Sequence, residues 1–420
     1  MLDIRLIREK PDEVRQSLLK RMDEIDFHDL LSWDRNRRSL IAEIDTLREK
    51  RNRASSRIGA MKQGKEDTTD LQAQMKELSR EIKELEVSLE DIEGRIRPVL
   101  ETLPNIPDPD VPAGGKECNQ VLAVWGAEPK FGFKPRDHVE LAAKLGLIDY
   151  ERGAKLGGHG YWLYRRDGAR LEWALLNYFV ETHLSDGYEF ILPPHILTDQ
   201  CGYTAGQFPK FVDDVFHLKG EDSFLLPTAE TAIINLHRDE ILTEDQLPKR
   251  YFAYTPCYRR EAGSYRTEER GSVRGHQFNK VEMFAFTTPE ESDSAFEELV
   301  SKAEKLVQGL GLYHRVSKLA AGDTSAAMAR TYDIEIWIPS MQEFKEVSSA
   351  SNARDYQARR GNIRFRRAST GRPEYVHTLN ASGLATSRLL PAILEQNQRA
   401  DGTVAVPEVL QKWVGKQILG

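Results

Sequence analysis

Between positions 40 and 99 core-type residues recur at alternating steps of four and three, and nothing else restricts the fold as much. The first run is Leu40, Ile44, Leu47, Arg51, Ala54, Ile58 and Met61, with one charged member. A polar break, Gln63-Gly64-Lys65-Glu66-Asp67, follows. The second run is Leu71, Met75, Leu78, Ile82, Leu85, Leu89, Ile92, Ile96 and Val99. A mean spacing near 3.5 residues puts one narrow stripe along a helix. Two such helices joined by a short glycine-containing turn predict an antiparallel coiled-coil hairpin over about 33–99. Each helix of about 30 residues would be about 45 Å long, so the arm would project beyond an ordinary domain.

The two helices differ in charge. Positions 33–62 hold nine basic and four acidic residues, whereas 70–99 hold five basic and eight acidic ones. Two readings stay open. The hairpin is either a solvated coiled coil with charges of both signs, or its first helix carries a basic stripe that contacts phosphates. Arg48, Arg51, Arg53 and Arg57 are the candidates for such contacts. The chain as a whole has a formal charge of −7, which argues against a general nucleic-acid coat and makes the local excess stand out.

The 420 residues suffice for two or three domains with a sizeable core. Residues 1–30 suggest a short strand or turn and then a helix, opened by Pro11 with Asp12 and Glu13 behind it. Residues 101–117 contain four prolines and no periodicity, and predict a stiff linker between an N-terminal domain (1–100) and a larger domain (118–420). Beyond it the texture is α+β. Helices are expected at 168–184, 229–242 and 289–310. Strands are expected at 190–192, 224–226, 250–254, 277–286, 333–338 and 344–347. Strands follow one another without a βαβ rhythm, which favours a mostly antiparallel sheet with helices packed on it. Cys118, Cys201 and Cys257 match no metal or redox spacing and fit buried thiols in a reducing compartment. No secretory leader and no run of 18 apolar residues is present, so the expected location is the cytoplasm, with no membrane partner.

No Walker-type loop and no GxGxxG turn occurs, so any nucleotide must be held by another device. Three segments offer one. In Leu226-Pro227-Thr228-Ala229-Glu230, Thr228 is placed to cap a helix and Glu230 falls in its first turn. That is either a helix-start device alone or a mouth for a small ligand with an ammonium group. The segment 258–286, YRREAGSYRTEERGSVRGHQFNKVEMFAF, opens with Arg259, Arg260 and Glu261 and returns as a strand on which Glu282 alternates with Lys280. An arginine fork matches phosphate, and a nearby glutamate can accept from an adenine amino group. An Arg-Arg-Glu triplet alone is usually a surface ion-pair group. The third segment, Glu346-Val347-Ser348-Ser349-Ala350-Ser351-Asn352, offers Glu346 and Ser349 as hard oxygen ligands suited to Mg²⁺. After His377-Thr378-Leu379-Asn380-Ala381-Ser382-Gly383 a helix carries Arg388, which would meet either a phosphate or a surface carboxylate.

Taken together, the two-helix arm, LPTAE, YRREAGSY…RGSVRGHQFNKVE, EVSSASN…YQARRGNIRFR and HTLNASGLATSRLLPAILE make the chain resemble the bacterial-type seryl-tRNA synthetases, which are class II aminoacyl-tRNA synthetases, over nearly all of its length. The resemblance implies an α+β fold: the class II antiparallel sheet with flanking helices, plus the coiled-coil arm. It implies ATP-dependent ligation of L-serine to tRNA(Ser), and to tRNA(Sec) where that is present. Thr228, Ala229, Glu230, Glu282 and Ser382 would form the serine pocket. Arg259, Arg260, Glu261, Gly275, Glu346, Val347, Ser348, Ser349 and Arg388 would form the ATP site. Arg259 would act on the α-phosphate, Arg388 on the γ-phosphate, and Glu346 and Ser349 would hold Mg²⁺. The arm would reach tRNA, and the motif 1 region at 187–197 would form a homodimer interface. Two departures from the family pattern stand out. Tyr265-Arg266-Thr267-Glu268-Glu269-Arg270 is unusually charged where the tRNA end would arrive, and Ala350 and Ala353 stand where cysteines are common.

Overall fold

The structure is a computed structural model that describes residues 1–261 and 271–420. The chain divides into two compact units, Met1–Pro104 and Asn105–Gly420.

The first unit is helical from the start. Where a strand or turn is expected, α1 (Ile4–Glu9) forms instead, because the Asp3 carboxylate accepts the Arg5 N–H at 2.8 Å and caps it. α2 (Pro11–Leu18) begins on Pro11, with Asp12 and Glu13 in its first turn. α3 (His28–Gln63) and α4 (Thr69–Thr102) have 36 and 34 residues, about 54 and 51 Å at 1.5 Å per residue. Every member of the two sequence runs is buried or half-buried, and most residues between them are exposed. Ile44, Leu47 and Ile82 are buried at the middle of the seam, with Leu78, Leu85 and Leu89 against them. Burying such a side chain contributes about 1.5–3 kcal/mol. The exposed pairs Arg37–Glu93 (2.9 Å) and Arg48–Glu86 (2.7 Å) bridge the helices at up to about 1 kcal/mol each. The apolar seam therefore outweighs the ion pairs.

In the second unit the proline-rich stretch from Asn105 is tied down. The Asn105 side chain donates to the carbonyls of Ala327 (2.9 Å) and Ala353 (2.8 Å), and Asp108 pairs with Arg330 (3.0 Å) and Arg354 (2.7 Å). Eight strands make the main sheet: β1 (Gln120–Trp125), β2 (Glu189–Ile191), β3 (Lys249–Tyr258), β4 (Gln277–Thr287), β5 (His314–Lys318), β6 (Arg330–Ile338), β7 (Glu343–Arg354) and β8 (His377–Ala385). Their order is β1-β5-β6-β7-β8-β4-β3-β2. All neighbours are antiparallel except β2 and β3. Helices α5 (Asp167–Ser185), α6 (Ser292–Gly309) and α7 (Thr386–Gln396) join one large core with one face of this sheet. Val281, Met283 and Ala285 of β4, Ile334, Ile336 and Ile338 of β6, and Leu379 and Ala381 of β8 all belong to that core. Because strand side chains alternate, the residues between them point to the opposite face.

Several expectations need correction. The helix expected at 229–242 is only Glu230–Ile233 followed by a tight turn, Ile234–His237. Ile241–Thr243 is a short strand paired in parallel with Arg364–Arg366. Asp239 breaks the helix with a left-handed φ of 64°, and its N–H is taken by the Gly361 carbonyl at 2.8 Å. Leu242 then packs with Ile233, Phe365 and Val376, contacts that the local pattern cannot reveal. The strands expected at 250–254 and 344–347 are longer, as β3 and β7. Of the three free cysteines only Cys257 is buried, and Cys118 and Cys201 are half-buried. Among the described residues no helix is long and apolar enough to cross a membrane.

Candidate active site

The face of the sheet away from α5, α6 and α7 carries the chemistry. Alternation along β4 brings Phe278, Lys280 and Glu282 to it, with Phe284 and Phe286 continuing as a second apolar cluster. Ser382 of β8 lies opposite Glu282, and Asn380 opposite Phe284. On β3 the same parity runs through Tyr251 and Ala253 to Cys257 and, just past the strand, Arg259. Two hollows adjoin here. The smaller is lined by Arg259, Glu261, Gly275, Phe278, Lys280 and Ser382. The larger, a cleft of about 590 Å³, is lined by Asp333, Glu335, Ser349 and Ser351 among others. Arg388 and Glu346 border both.

Two buried carboxylates dominate the floor. Glu282 is fully buried, with Lys280 Nζ 2.5 Å from Oε2 and Asn380 Nδ2 donating to Oε1 at 3.1 Å. Ser382 Oγ lies 3.4 Å from Glu282 Oε2. Glu230, the first residue of its short helix, accepts from Gln357 Nε2 at 2.6 Å and more weakly from Asn380 at 3.4 Å. Burial, and after it the charge of Glu282, pushes the Glu230 carboxyl up to about 7, against the opposing pull of Gln357, Lys280 and Arg259. Thr228 is not a helix cap. Its hydroxyl accepts from Lys280 Nζ at 2.6 Å and lies 3.5 Å from Glu282, and the cap position falls to Ala229. A pocket with two buried carboxylates, one lysine paired to Glu282 and two hydroxyls is built for a small, cationic, hydroxyl-bearing ligand.

The arginines lie beside it. Arg259 Nε donates to the Pro227 carbonyl at 3.2 Å, and its guanidinium lies 5.3 Å from the Phe278 ring centre. Glu261 has a left-handed φ of 53° and accepts from Arg274 Nε at 2.6 Å. Arg388, in the first turn of α7, donates to the Glu346 carbonyl at 2.8 Å and lies 3.3 Å from its carboxylate. It is thus held inside the cleft rather than on an outer helix surface. Gly275 is fixed by a close approach: a Cβ there would lie 2.1 Å from the Trp162 ring and 2.7 Å from the Gly160 oxygen. Only glycine lets this wall close.

Glu346 and Ser349 both line the larger cleft, and buried Asp333 lies across the ladder from Ser349. Asp333 Oδ1 has no partner among the described residues, and burial, followed by the charge of Glu346, holds this carboxyl well above its ordinary range. Glu346 and Ser349 present hard oxygens of the kind a small divalent cation takes, although Glu346 is paired with Arg388 and, among the described residues, no group of three or more acidic, histidine or cysteine side chains is placed to hold a metal ion.

The remaining candidates sit differently. Ala229 packs into the apolar cluster with Phe284, Val347 into the helix-side core, and Ser348 Oγ donates to the Ser382 carbonyl at 2.6 Å. Arg260 is exposed, and its backbone N–H donates to Asp214 O at 2.8 Å. The charged stretch Tyr265 to Arg270 lies outside the described residues. Lys280, Asn380, Gln357 and Asp333 join the site without having been singled out from the sequence. For Lys280 a signal existed, its period-two spacing from Glu282.

Residues 1–107 match the model of the seryl-tRNA synthetase N-terminal domain, and residues 215–397 match the class II tRNA synthetase core domain (G, H, P, S and T). "Serine--tRNA ligase 2" of Clostridium acetobutylicum is 63% identical over 425 residues that cover 100% of both chains. The chain belongs to the seryl-tRNA synthetase family. Among solved structures, seryl-tRNA synthetase from Pyrococcus horikoshii complexed with ATP is 36% identical, with a TM-score of 0.92 over 100% of this chain and 99% of that one. Cytoplasmic serine-tRNA ligase from Naegleria fowleri in complex with AMP is 27% identical, with a TM-score of 0.87 over 100% and 98%. The class II sheet with flanking helices and a long helical hairpin is the architecture that the sequence resemblance implied. As a seryl-tRNA synthetase, the chain is a class II aminoacyl-tRNA synthetase.

Proposed function

We propose that this enzyme joins L-serine to tRNA(Ser) in two steps, seryl-adenylate formation from serine and ATP with release of pyrophosphate, then transfer to a terminal ribose hydroxyl. The observation that carries the reading is the pair of buried carboxylates, Glu230 and Glu282, within a hydroxyl-lined pocket that adjoins Arg259. Glu230 and Glu282 receive the serine ammonium, and Thr228 and Ser382 complete hydrogen bonding to the small polar ligand. A pocket that bonds a hydroxyl refuses alanine and glycine strongly, because its own polar groups would be left unpaired.

The first step is attack of the serine carboxylate on the α-phosphorus of ATP, which calls for positioning and charge stabilisation rather than covalent help from the protein. Arg259 takes the α-phosphate, Glu261 lies by the adenine or phosphates, Gly275 lets the nucleotide wall close, and Arg388 takes the γ-phosphate. Glu346 and Ser349 would hold Mg²⁺, which supplies positive charge against the pyrophosphate oxygens. Ala229, Arg260, Val347 and Ser348 border these subsites through their backbone. The basic helix of the arm, with Arg48, Arg51, Arg53 and Arg57, contacts tRNA phosphates. Two of these are engaged within the arm, Arg48 with Glu86 and Arg53 with Glu49, and Arg51 is half-buried at a seam position. tRNA(Sec) is a second acceptor where it is present, and the enzyme acts in the cytoplasm. Exposed Phe190, Leu192 and Ile196 in the motif 1 stretch support a homodimer through that edge.

The test is twofold. Serine-dependent ATP–pyrophosphate exchange should occur, and purified tRNA(Ser) should be charged while a small carrier protein is not. Exchange without tRNA charging would redirect the proposal to another acceptor, and absence of both would end it.

A further inference from the structure

Among the described residues Lys280 is the cation whose present contacts conflict with serine binding, and this inference rests on the serine reading above. Its ammonium is almost wholly buried, 2.6 Å from Thr228 Oγ1 and 2.5 Å from Glu282 Oε2. Those are the atoms that the ligand's own ammonium or hydroxyl must reach. The other oxygen of Glu282 is taken by Asn380, and the bonds to Oε2 from Thr228 and Ser382 are long, at 3.5 and 3.4 Å. Lys280 thus fills the pocket's cation position. Two ammonium groups on one carboxylate oxygen repel each other, so the arriving ligand displaces the lysine.

A lysine is a point charge on a flexible four-carbon stem, and it can follow a partner where a fixed guanidinium cannot. Lys280 also borders the smaller hollow, which it shares with Arg259, Gly275, Phe278 and Ser382. Serine is a zwitterion. When its ammonium takes over the Glu230–Glu282 pair, its carboxylate lies one carbon away and needs a cation in a buried setting. The released Lys280 is the cation that starts nearest that place, in a hollow that Arg259, Arg274 and Arg388 also line.

We propose that Lys280 is a substrate-binding switch: it holds the pocket's cation position until the ligand's ammonium takes it, then turns into the adjoining hollow and binds the serine carboxylate beside Arg259. The pocket stays charge-paired in both states. The same movement aims the nucleophilic carboxylate at the phosphate that Arg259 holds.

The test compares L-serine with serinol, which keeps the ammonium and hydroxyl but has no carboxylate. Binding of each to the full chain is measured by titration calorimetry. The unaltered protein should prefer serine by on the order of 10- to 100-fold, the worth of a buried charge-assisted hydrogen bond. In Lys280→Gln that preference should shrink to a few-fold, chiefly through weaker serine binding. Lys280→Met, which also lacks the charge, should behave alike and serves if the glutamine variant folds poorly. An unchanged serine-to-serinol ratio, or equal loss of both ligands, would show that Lys280 merely neutralises the carboxylates, and would overturn the proposal. A structure of the unaltered protein with serine gives a mutation-free check: Nζ still within about 3 Å of Thr228 Oγ1 and Glu282 Oε2 would overturn it too. If the unaltered protein binds neither compound, the serine reading itself fails and the proposal falls with it.

Discussion

The arm and the site face solve the same problem, holding charged groups in place, by opposite means. In the arm, charges ride on the outside of a thin apolar seam and meet in exposed pairs such as Arg48–Glu86. Water screens them, each contributes little, and such exposed pairs can be exchanged for a partner's charges at small cost. In the pocket, Glu230, Glu282 and Lys280 are buried and paired. There each interaction is strong and removing one partner leaves another stranded. The difference teaches where mutations should act: the arm tolerates single changes and fails by loss of the whole surface, whereas the site fails one residue at a time.

Removing residues 35–97 is the bluntest way to break that contrast. Charging of tRNA(Ser) should fall by about 10³ or more as the phosphate contacts vanish, while serine-dependent pyrophosphate exchange persists. Comparable loss of both activities would show that the two regions are not separable. Next in size is Arg259→Ala. Exchange should drop on the order of 10²–10³ with an unchanged thermal midpoint, as expected for a donor that stabilises charge in the transition state; near-normal exchange would remove Arg259 from the reaction.

A smaller effect concerns acidity. Burial, and after it the charge of Glu282, pushes the Glu230 carboxyl up to about 7. The ligand's ammonium favours the ionised form, so serine binding should weaken as pH falls below 7, approaching about tenfold per unit. Glu230→Gln should bind serine less well at pH 8 and show a flatter profile between pH 6 and 8 in calorimetry. The smallest catalytic effect is expected from Ile82→Ala. It should cost the arm about 2–4 kcal/mol of local stability, seen as faster hydrogen exchange in α3 and α4, and leave pyrophosphate exchange untouched.

The same contrast explains what the sequence revealed. The hairpin was legible because its seam repeats locally, and each of its residues could be named from spacing alone. β4 was legible as an extended run at 277–286 on which Glu282 alternates with Lys280. The helix expected at 229–242 failed because Leu242 is drawn to Phe365 and Val376, more than a hundred positions away. The site was visible mainly through family-like motifs. Thr228 meets Lys280 across 52 positions and Glu230 meets Asn380 across 150, and no local pattern encodes such pairings. Hence Thr228 read locally as a helix cap and reached the serine pocket only through the family resemblance, and Lys280 received no role.

Strict alternation along β4 has a consequence for how this gene can vary. One residue inserted between 277 and 280, with the start of the strand held in register, would turn Lys280 and Glu282 into the helix-side core and push Val281 and Met283 into the pocket. Substitutions there can be gradual, but insertions and deletions cannot, so length changes in the lineage should be confined to the connections between strands.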